Sequence, residues 1–373
     1  MSRPIVLTGG GTAGHVFPLR AVAEALLGAG VARDELVVVG SRRGQEGTLL
    51  ADLGVEVVLL PGRGLRRSAS PRAIAQNVGA VFGLLSALAE AEVRIARLRP
   101  RAVVSVGGYA AFAASVGAVS TGRPLILVDL DATPGLVHRT LRPFAVAVTT
   151  AFPTEGSTRS VVTGVPLRAD VVAVERTGEH RRAACARLGL DPSSQVVAVM
   201  TGSLGAGSVN SAVCGLAERW RGRSTATLYH VAGSRDLEMV KDAKARTGIG
   251  DDRWRVVGFE TAAADVWTAC DVAVCRAGAT TVAELCVTGV PSVLVPLPGS
   301  PGAHQDANAS VLERIGAAVV VDDASISAEL LDSTLSALLD DPARLTAMAT
   351  AARSLARADA ASRVAAVVLD HAR

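Results

Sequence analysis

Three glycine-rich turns are the first residues whose type and spacing could do chemistry. Gly9-Gly10-Gly11-Thr12-Ala13-Gly14-His15 follows an apolar run at 5–7, Gly107-Gly108-Tyr109 follows one at 103–106, and Thr201-Gly202-Ser203-Leu204-Gly205-Ala206 follows Val196–Met200. Each reads as a strand-to-helix junction, where unpaired backbone N–H groups and the positive end of a helix dipole favour an anion. Tight α/β turns need glycine in any case, so a single turn means little. Three in one chain point to a diphosphate-containing ligand. A fourth junction, Cys275-Arg276-Ala277-Gly278-Ala279-Thr280-Thr281-Val282-Ala283-Glu284, adds a carboxylate. Thr281-x-x-Glu284 fits a capping box. The same carboxylate, near a helix start at a strand's carboxyl end, could instead accept both hydroxyls of a ribose, and the two readings stand together. His15 is the first candidate for a general base, its alternative role being to orient phosphate.

These junctions require a particular scaffold. Short continuous Val/Ile/Leu runs alternate with Ala/Leu-rich amphipathic segments, the pattern of parallel strands covered on both faces. In 18–28, Leu19, Val22, Ala23, Leu26 and Leu27 form one stripe, with Pro18 near its start and Gly28 at its end. The rhythm restarts after about residue 165, and the polar Pro/Gly-punctuated segment 153–166 reads as a linker. The expectation is an α/β chain of two doubly wound parallel-sheet domains facing across a cleft, with ligands at the carboxyl ends of the strands. The expected divisions are 1–160, 161–341 and a helical tail, 342–373, packing back towards the first domain.

Composition narrows the function. The 373 residues are 49% hydrophobic and 20% charged, enough for a sizeable core, and 38 Lys+Arg against 35 Asp+Glu leave only +3. That balance, with 6 Phe, 3 Trp and 2 Tyr, argues against nucleic acid as a partner. Five cysteines without CxxC spacing (185, 214, 270, 275, 286) suggest neither a disulfide framework nor a zinc site, and fit a reducing setting. No Asp-x-Asp in a glycine turn and no histidine cluster suggests a metal, and no cofactor is expected. Residues 1–4 run straight into a strand without room for a signal peptide. The uncharged stretch between Arg101 and Arg123 is broken by Gly107-Gly108, so no membrane span is expected.

Gly9, Gly11 and Gly14 also satisfy GxGxxG, and Ser41-Arg42-Arg43 stands where an NADP-binding domain places arginines. An NADP-dependent oxidoreductase is therefore a competitor. Against it, the only tyrosines (Tyr109, Tyr229) and the only lysines (Lys241, Lys244) form no Tyr-x-x-x-Lys pair.

Taken in order, the motifs 10–18, Gly107-Gly108-Tyr109, 164–168, 202–206, 275–284 and 304–309 resemble the MurG family of peptidoglycan glycosyltransferases from about residue 5 to the end of the chain. The resemblance implies a GT-B fold and metal-independent, inverting transfer of N-acetylglucosamine from UDP-N-acetylglucosamine. The acceptor would be the 4-hydroxyl of undecaprenyl-pyrophosphoryl-N-acetylmuramyl-pentapeptide (lipid I) and the product lipid II, serving cell-wall synthesis, cell shape and division at the cytoplasmic face of the membrane. It implies that Glu284 holds the ribose, and that Ala279, Thr280, Thr281, Val282 and Ala283 line the nucleotide pocket. Ser203 and Arg168 would meet the diphosphate region, and Gln305 the sugar. Thr12, Ala13, Gly14 and His15 would close over the reacting centre, and Gly107, Gly108 and Tyr109 would face the acceptor diphosphate.

The chain departs from the family at several places. Val128-Asp129-Leu130-Asp131 replaces His-Glu-Gln-Asn, making Asp131 a donor contact or an alternative base. Leu204 replaces a glutamine, 110–113 read Ala-Ala-Phe-Ala where Val-Ser-Gly-Pro is usual, and Glu260 falls in the loop expected to hold uracil. A relative with another acceptor and a non-catalytic nucleotide-sugar sensor are the remaining alternatives. Arg63, Arg66, Arg67 and Arg72 precede an apolar segment, 74–88 (Val78, Val81, Phe82, Leu84, Leu85), which by residue type reads first as a solvated loop before a core helix; the family resemblance is what promotes docking on an anionic leaflet.

Overall fold

A computed structural model describes residues 3–10, 13–42, 44–61, 71–153, 160–222 and 226–372, without the side chains of 71–82, 109 and 110. Thr12, Arg43, Arg63, Arg66 and Arg67 lie outside the described residues, as do the side chains of Arg72, Val78, Val81, Phe82 and Tyr109. The chain divides into two compact units, Met1–Arg168 with Arg357–Arg373, and Ala169–Ala356.

The first unit holds a seven-stranded, wholly parallel sheet. Its strands are β1 (Ile5–Thr8), β2 (Leu36–Ser41), β3 (Glu56–Leu60), β4 (Ala102–Ser105), β5 (Leu125–Asp129), β6 (Ala147–Thr150) and β7 (Ser160–Val162), in the order β3-β2-β1-β4-β5-β6-β7. β1, β2, β4, β5 and β6 are buried along their whole length, which is why they read as unbroken apolar runs. Ala87, Ala91 and Ile95 of the Pro71–Leu98 helix and Ala113, Ala114 and Ala118 of the Tyr109–Ser120 helix seal one face. Strand order reverses between β1 and β4, where Thr8 pairs with Ser105.

The second unit repeats the plan with β8 (Val196–Met200), β9 (Thr227–Val231), β10 (Trp254–Val257), β11 (Val272–Cys275), β12 (Ser292–Leu294) and β13 (Ala318–Val320), all parallel, in the order β10-β9-β8-β11-β12-β13. Its reversal lies between β8 and β11, where Met200 pairs with Cys275. In open α/β sheets ligands bind just beyond the carboxyl ends of the strands at such a reversal.

Three local readings need correction. The first helix runs Ala13–Gly28 and contains Pro18 rather than starting beside it; the glycine turn is shorter than expected, so Gly14 and His15 belong to the first helical turn. Segment 153–166 is not wholly linker, because β7 pairs with β6 along Ser160–Val162; three residues are too few to show a periodicity. The tail is two helices, Pro342–Ser354 in the second unit and Ala360–His371 in the first, the latter packed on the Ala13–Gly28 helix.

Candidate ligand sites at the two strand-order reversals

At the β1/β4 reversal, the first two glycine turns lie against each other. A side chain at Gly108 would strike the carbonyl oxygen of Gly10, and Gly107 and Gly108 have φ of +89° and +79°, so both positions require glycine. Gly108 is the N-cap of the Tyr109–Ser120 helix without a side-chain cap; the Ala111 N–H bonds the Gly108 carbonyl at 3.3 Å, and the helix start as a whole favours an anion. His15 is half-buried, and its Cδ2 lies 3.8 Å from where a Cβ on Gly107 would stand. The structure thus brings the candidate base to the edge of the second turn. Arg168 belongs to this unit too, its guanidinium 5.2 Å from the centre of the Phe17 ring. Asp131 is half-buried two residues beyond β5.

The NADP reading meets two obstacles here. The buried Glu46 carboxyl fills the space beside Gly10, Gly40 and Gly44, and Arg42 donates through Nε to the Leu59 carbonyl at 3.3 Å. A dinucleotide would need both that space and that arginine.

At the β8/β11 reversal, two helices begin without a side-chain cap, Gly207–Trp220 after Ala206 and Ala279–Thr288 after Gly278. Open space lies over Gly202 (φ +82°) and over Gly278, whereas Gly205 (φ +92°) is packed against Asp236 and the Ala232 carbonyl. The arrangement offers two sets of amide donors beside adjoining strands. Ser203 is half-buried in the first turn, and its carbonyl accepts from the Ser234 N–H at 3.0 Å. Leu204 is 63% exposed.

The capping-box reading of Glu284 falls. The Ala279–Thr288 helix starts two residues before Thr281, so Glu284 sits in its second turn, too deep to cap it. Its Oε2 instead accepts from the buried Trp267 indole at 3.0 Å, which orients the carboxylate. Of the stretch 279–284, Val282 (0% exposed) and Ala279 (8%) face the core, leaving Thr280, Thr281, Ala283 and Glu284 half-buried at the surface. Arg276 is a clamp. Its guanidinium donates to the carbonyls of Val295 (3.1 Å) and Pro296 (3.2 Å), to Asp323 Oδ1 (2.5 Å) and to Ser208 Oγ (3.2 Å), tying the fourth turn to the start of the Gly207–Trp220 helix.

Glu260 is committed to the protein. Its carboxylate accepts from the Tyr229 hydroxyl and from the Ala262 N–H at 2.7 Å, fixing the 258–262 loop. Burial, and then this bond, push the Tyr229 hydroxyl's pKa well above its ordinary value. Gln305, in the His304–Arg314 helix, accepts from the Leu297 N–H at 2.9 Å through Oε1, which leaves its amide nitrogen to donate elsewhere. On β9, buried His230 bonds Asn210 Oδ1 at 2.8 Å, and burial lowers its pKa to about 3. Burial pushes the Cys270 and Cys286 thiols up to about 12 and Cys275 higher still, so these cysteines pack the core and do not react.

Sequence reasoning missed Trp267, which carried no pattern beyond an apolar helix, and a buried polar chain at the β1/β4 reversal: Ser105, His138, Asp129 and Arg142.

Two doubly wound parallel sheets in succession, each with uncapped helix starts at its reversal, define the class as the GT-B fold. The glycosyltransferase family 28 N-terminal domain matches residues 5–150 and the glycosyltransferase family 28 C-terminal domain residues 196–364. The UDP-N-acetylglucosamine–N-acetylmuramyl-(pentapeptide) pyrophosphoryl-undecaprenol N-acetylglucosamine transferase of Alkalilimnicola ehrlichii is 39% identical, over 100% of both chains. The enzyme of the same name from Nitratidesulfovibrio vulgaris is 38% identical over 97% of this chain and 96% of its own. Among solved structures, Acinetobacter baumannii MurG aligns with a TM-score of 0.74 and 26% identity over 99% of this chain and 100% of that one. The chain belongs to the MurG family of glycosyltransferase family 28.

Proposed function

We propose that the protein is an inverting hexosyltransferase that moves N-acetylglucosamine from UDP-N-acetylglucosamine to the 4-hydroxyl of the N-acetylmuramyl sugar of lipid I, making lipid II for peptidoglycan. The observation that carries this reading is the β8/β11 reversal, with open space over Gly202 and Gly278, two uncapped helix starts, and Glu284 aimed by Trp267. Full-length similarity to enzymes of that name supports it.

On the second unit, Glu284 accepts the two ribose hydroxyls, and the half-buried Thr280, Thr281 and Ala283 form the wall beside it. Ser203 and the amides of its turn meet the diphosphate, Gln305 donates to the sugar through its amide nitrogen, and Glu260 shapes the uracil loop through Tyr229 without touching the base. On the first unit, the Gly107–Gly108 turn and the helix start behind it bind the acceptor diphosphate. Ala13, Gly14 and His15 stand beside that turn, with His15 as base. The bond from the acceptor oxygen to the anomeric carbon forms as the bond to UDP breaks, inverting the centre. The hydroxyl proton passes to His15, and the negative charge developing on UDP is met by helix-start amides and Arg168. Asp131 is the alternative base.

The reading includes peripheral attachment to an anionic membrane at its cytoplasmic face. No helix among the described residues is long and apolar enough to cross a membrane. The arginines between 63 and 72 and the exposed Leu85 (57%) and Val93 (48%) support attachment, each arginine contributing about 1 kcal/mol near an anionic surface.

The deciding experiment measures UDP release from UDP-N-acetylglucosamine with a lipid I analogue. Turnover with that acceptor is expected; turnover only with unrelated acceptors would overturn the cell-wall role. Asp131 and Leu204, standing where the family carries amides, favour a relative with another acceptor as the second reading.

A further inference from the structure

Beneath the Gly107–Gly108 turn runs a chain of polar side chains that the proposed chemistry does not use. Arg142 donates from Nη1 to Asp129 Oδ2 at 2.9 Å, and His138 Nδ1 lies 2.6 Å from Asp129 Oδ1. On its other side, His138 Nε2 lies 2.9 Å from Ser105 Oγ. The Asp129 side chain is 1% exposed, the His138 side chain 5%, and Ser105 is fully buried. Four elements supply the four groups: the end of β5, the Leu136–Leu141 helix, the end of β4 and the short turn at Arg142–Phe144.

Serine, histidine and aspartate in this order form the constellation of acyl-transfer enzymes. A nucleophile must reach its substrate, and Ser105 is enclosed in β4 with no exposed surface, so covalent chemistry at its hydroxyl is excluded. Stability alone is a poor reason for such a chain. Burying charged partners has a high desolvation cost, and apolar residues of similar size commonly hold a core as well. What the chain supplies is direction. With Nδ1 held by Asp129 and Nε2 by Ser105, the His138 ring can neither rotate nor slide. The Cε1–Nε2 edge faces the turn: a Cβ on Gly107 would stand 3.6 Å from His138 Cε1, 3.7 Å from His138 Nε2 and 3.8 Å from His15 Cδ2. Both imidazoles rest on one glycine.

We propose that the Arg142–Asp129–His138–Ser105 chain is a positioning device for the acceptor side, which locks the His138 ring as the floor seating the Gly107–Gly108 turn and the His15 imidazole. The inference rests on the assignment of the lipid-linked acceptor to the first unit. Misplacement of about 1 Å can cost about 100-fold in rate, so loosening the floor reaches the reaction although none of the four residues touches substrate.

The test compares Asp129→Asn, His138→Asn and Ser105→Ala with wild type, using a short-chain lipid I analogue and UDP-N-acetylglucosamine. For Asp129→Asn and His138→Asn the expected result is a fall in kcat of about 30-fold with a raised acceptor KM, while the donor KM stays within about twofold, as expected when only positioning is lost. Ser105→Ala leaves the Asp129–His138 pair intact, so it carries the test if the other two fail to fold; the same pattern at about fivefold is expected. Proton NMR supplies the readout a purely structural role would not move. The hydrogen-bonded His138 Nδ1–H resonance should survive in Ser105→Ala and vanish in Asp129→Asn, and the His15 ring resonances should shift in both. Folded variants with unchanged acceptor kinetics, equal changes in both KM values, or unmoved His15 resonances would overturn the proposal. Wild type that ignores the lipid I analogue, with the His15 resonances still shifted in the variants, would instead overturn the acceptor assignment and leave the positioning intact.

Discussion

The two strand-order reversals are built alike and furnished differently. At β1/β4 the glycine turns rest on buried polar side chains, Glu46 under the first and the Asp129–His138 pair under the second. At β8/β11 the third turn packs against Asp236 and the fourth is tied by Arg276 to Asp323, while Glu284 is held by Trp267 and Gln305 by the Leu297 amide at the rim. The second arrangement suits binding of a ligand whose shape and charge stay fixed. The first suits a place where a proton moves and a base must be held in one pose. Duplicating a scaffold therefore does not duplicate its chemistry, since backbone amides come with the fold and side chains decide what they serve.

Four perturbations would break or sharpen this contrast. The largest effect is expected at His15: His15→Ala should lower kcat by about 1000-fold with little change in donor affinity, the usual range for loss of a general base, and a loss of only a few-fold in single-turnover assays would shift the role to Asp131. Next comes Glu284→Ala, which should weaken UDP binding by about 100-fold through loss of charged hydrogen bonds to two hydroxyls, measured by calorimetry; a kcat defect with intact binding would erase the distinction between the two sites. Trp267→Phe removes the indole donor together with part of a buried ring and should weaken UDP by about tenfold while leaving acceptor kinetics unchanged.

The fourth perturbation is read in stability and not in rate or binding. In the fold, His230 resists protonation down to about pH 3 against an ordinary 6.5. The unfolded chain takes up a proton that the folded one refuses, so the contribution is fully present above 6.5 and is lost as pH falls towards 3. The expected decline is about 1.4 kcal/mol per pH unit within that window. Thermal melts in a pH series should show it, and His230→Gln should flatten the slope. An identical slope in the variant would place the acid sensitivity elsewhere.

Local features were legible in the sequence. Continuous apolar runs became buried parallel strands because a parallel sheet is covered on both faces, and glycines at the ends of those runs became turns because Gly107, Gly108, Gly202 and Gly205 adopt positive φ. Glu284 was legible because strand, turn and helix are consecutive, although its capping alternative depended on a helix start that lies two residues earlier than the pattern implied. The Ser105–His138–Asp129 chain was not legible. Its members come from two strands and a helix, with Ser105 and His138 33 positions apart, and no spacing rule joins them. The clamp made by Arg276 was hidden for the same reason, its partners Asp323 and Ser208 lying 47 and 68 residues away.

By itself, then, the sequence determined the alternation of strand and helix, the glycine turns that face anions, and membership of a family, because each is written in neighbouring residues. Tertiary structure alone decided where each carboxylate points and which protein groups hold it. It aimed Glu284 through Trp267, tied Glu260 to Tyr229, and buried Asp129 while leaving Asp131 only half-buried. The physical reason is that a side chain's role depends on the partners that packing brings within about 3 Å of it, and those partners come from strands and helices distant in the chain.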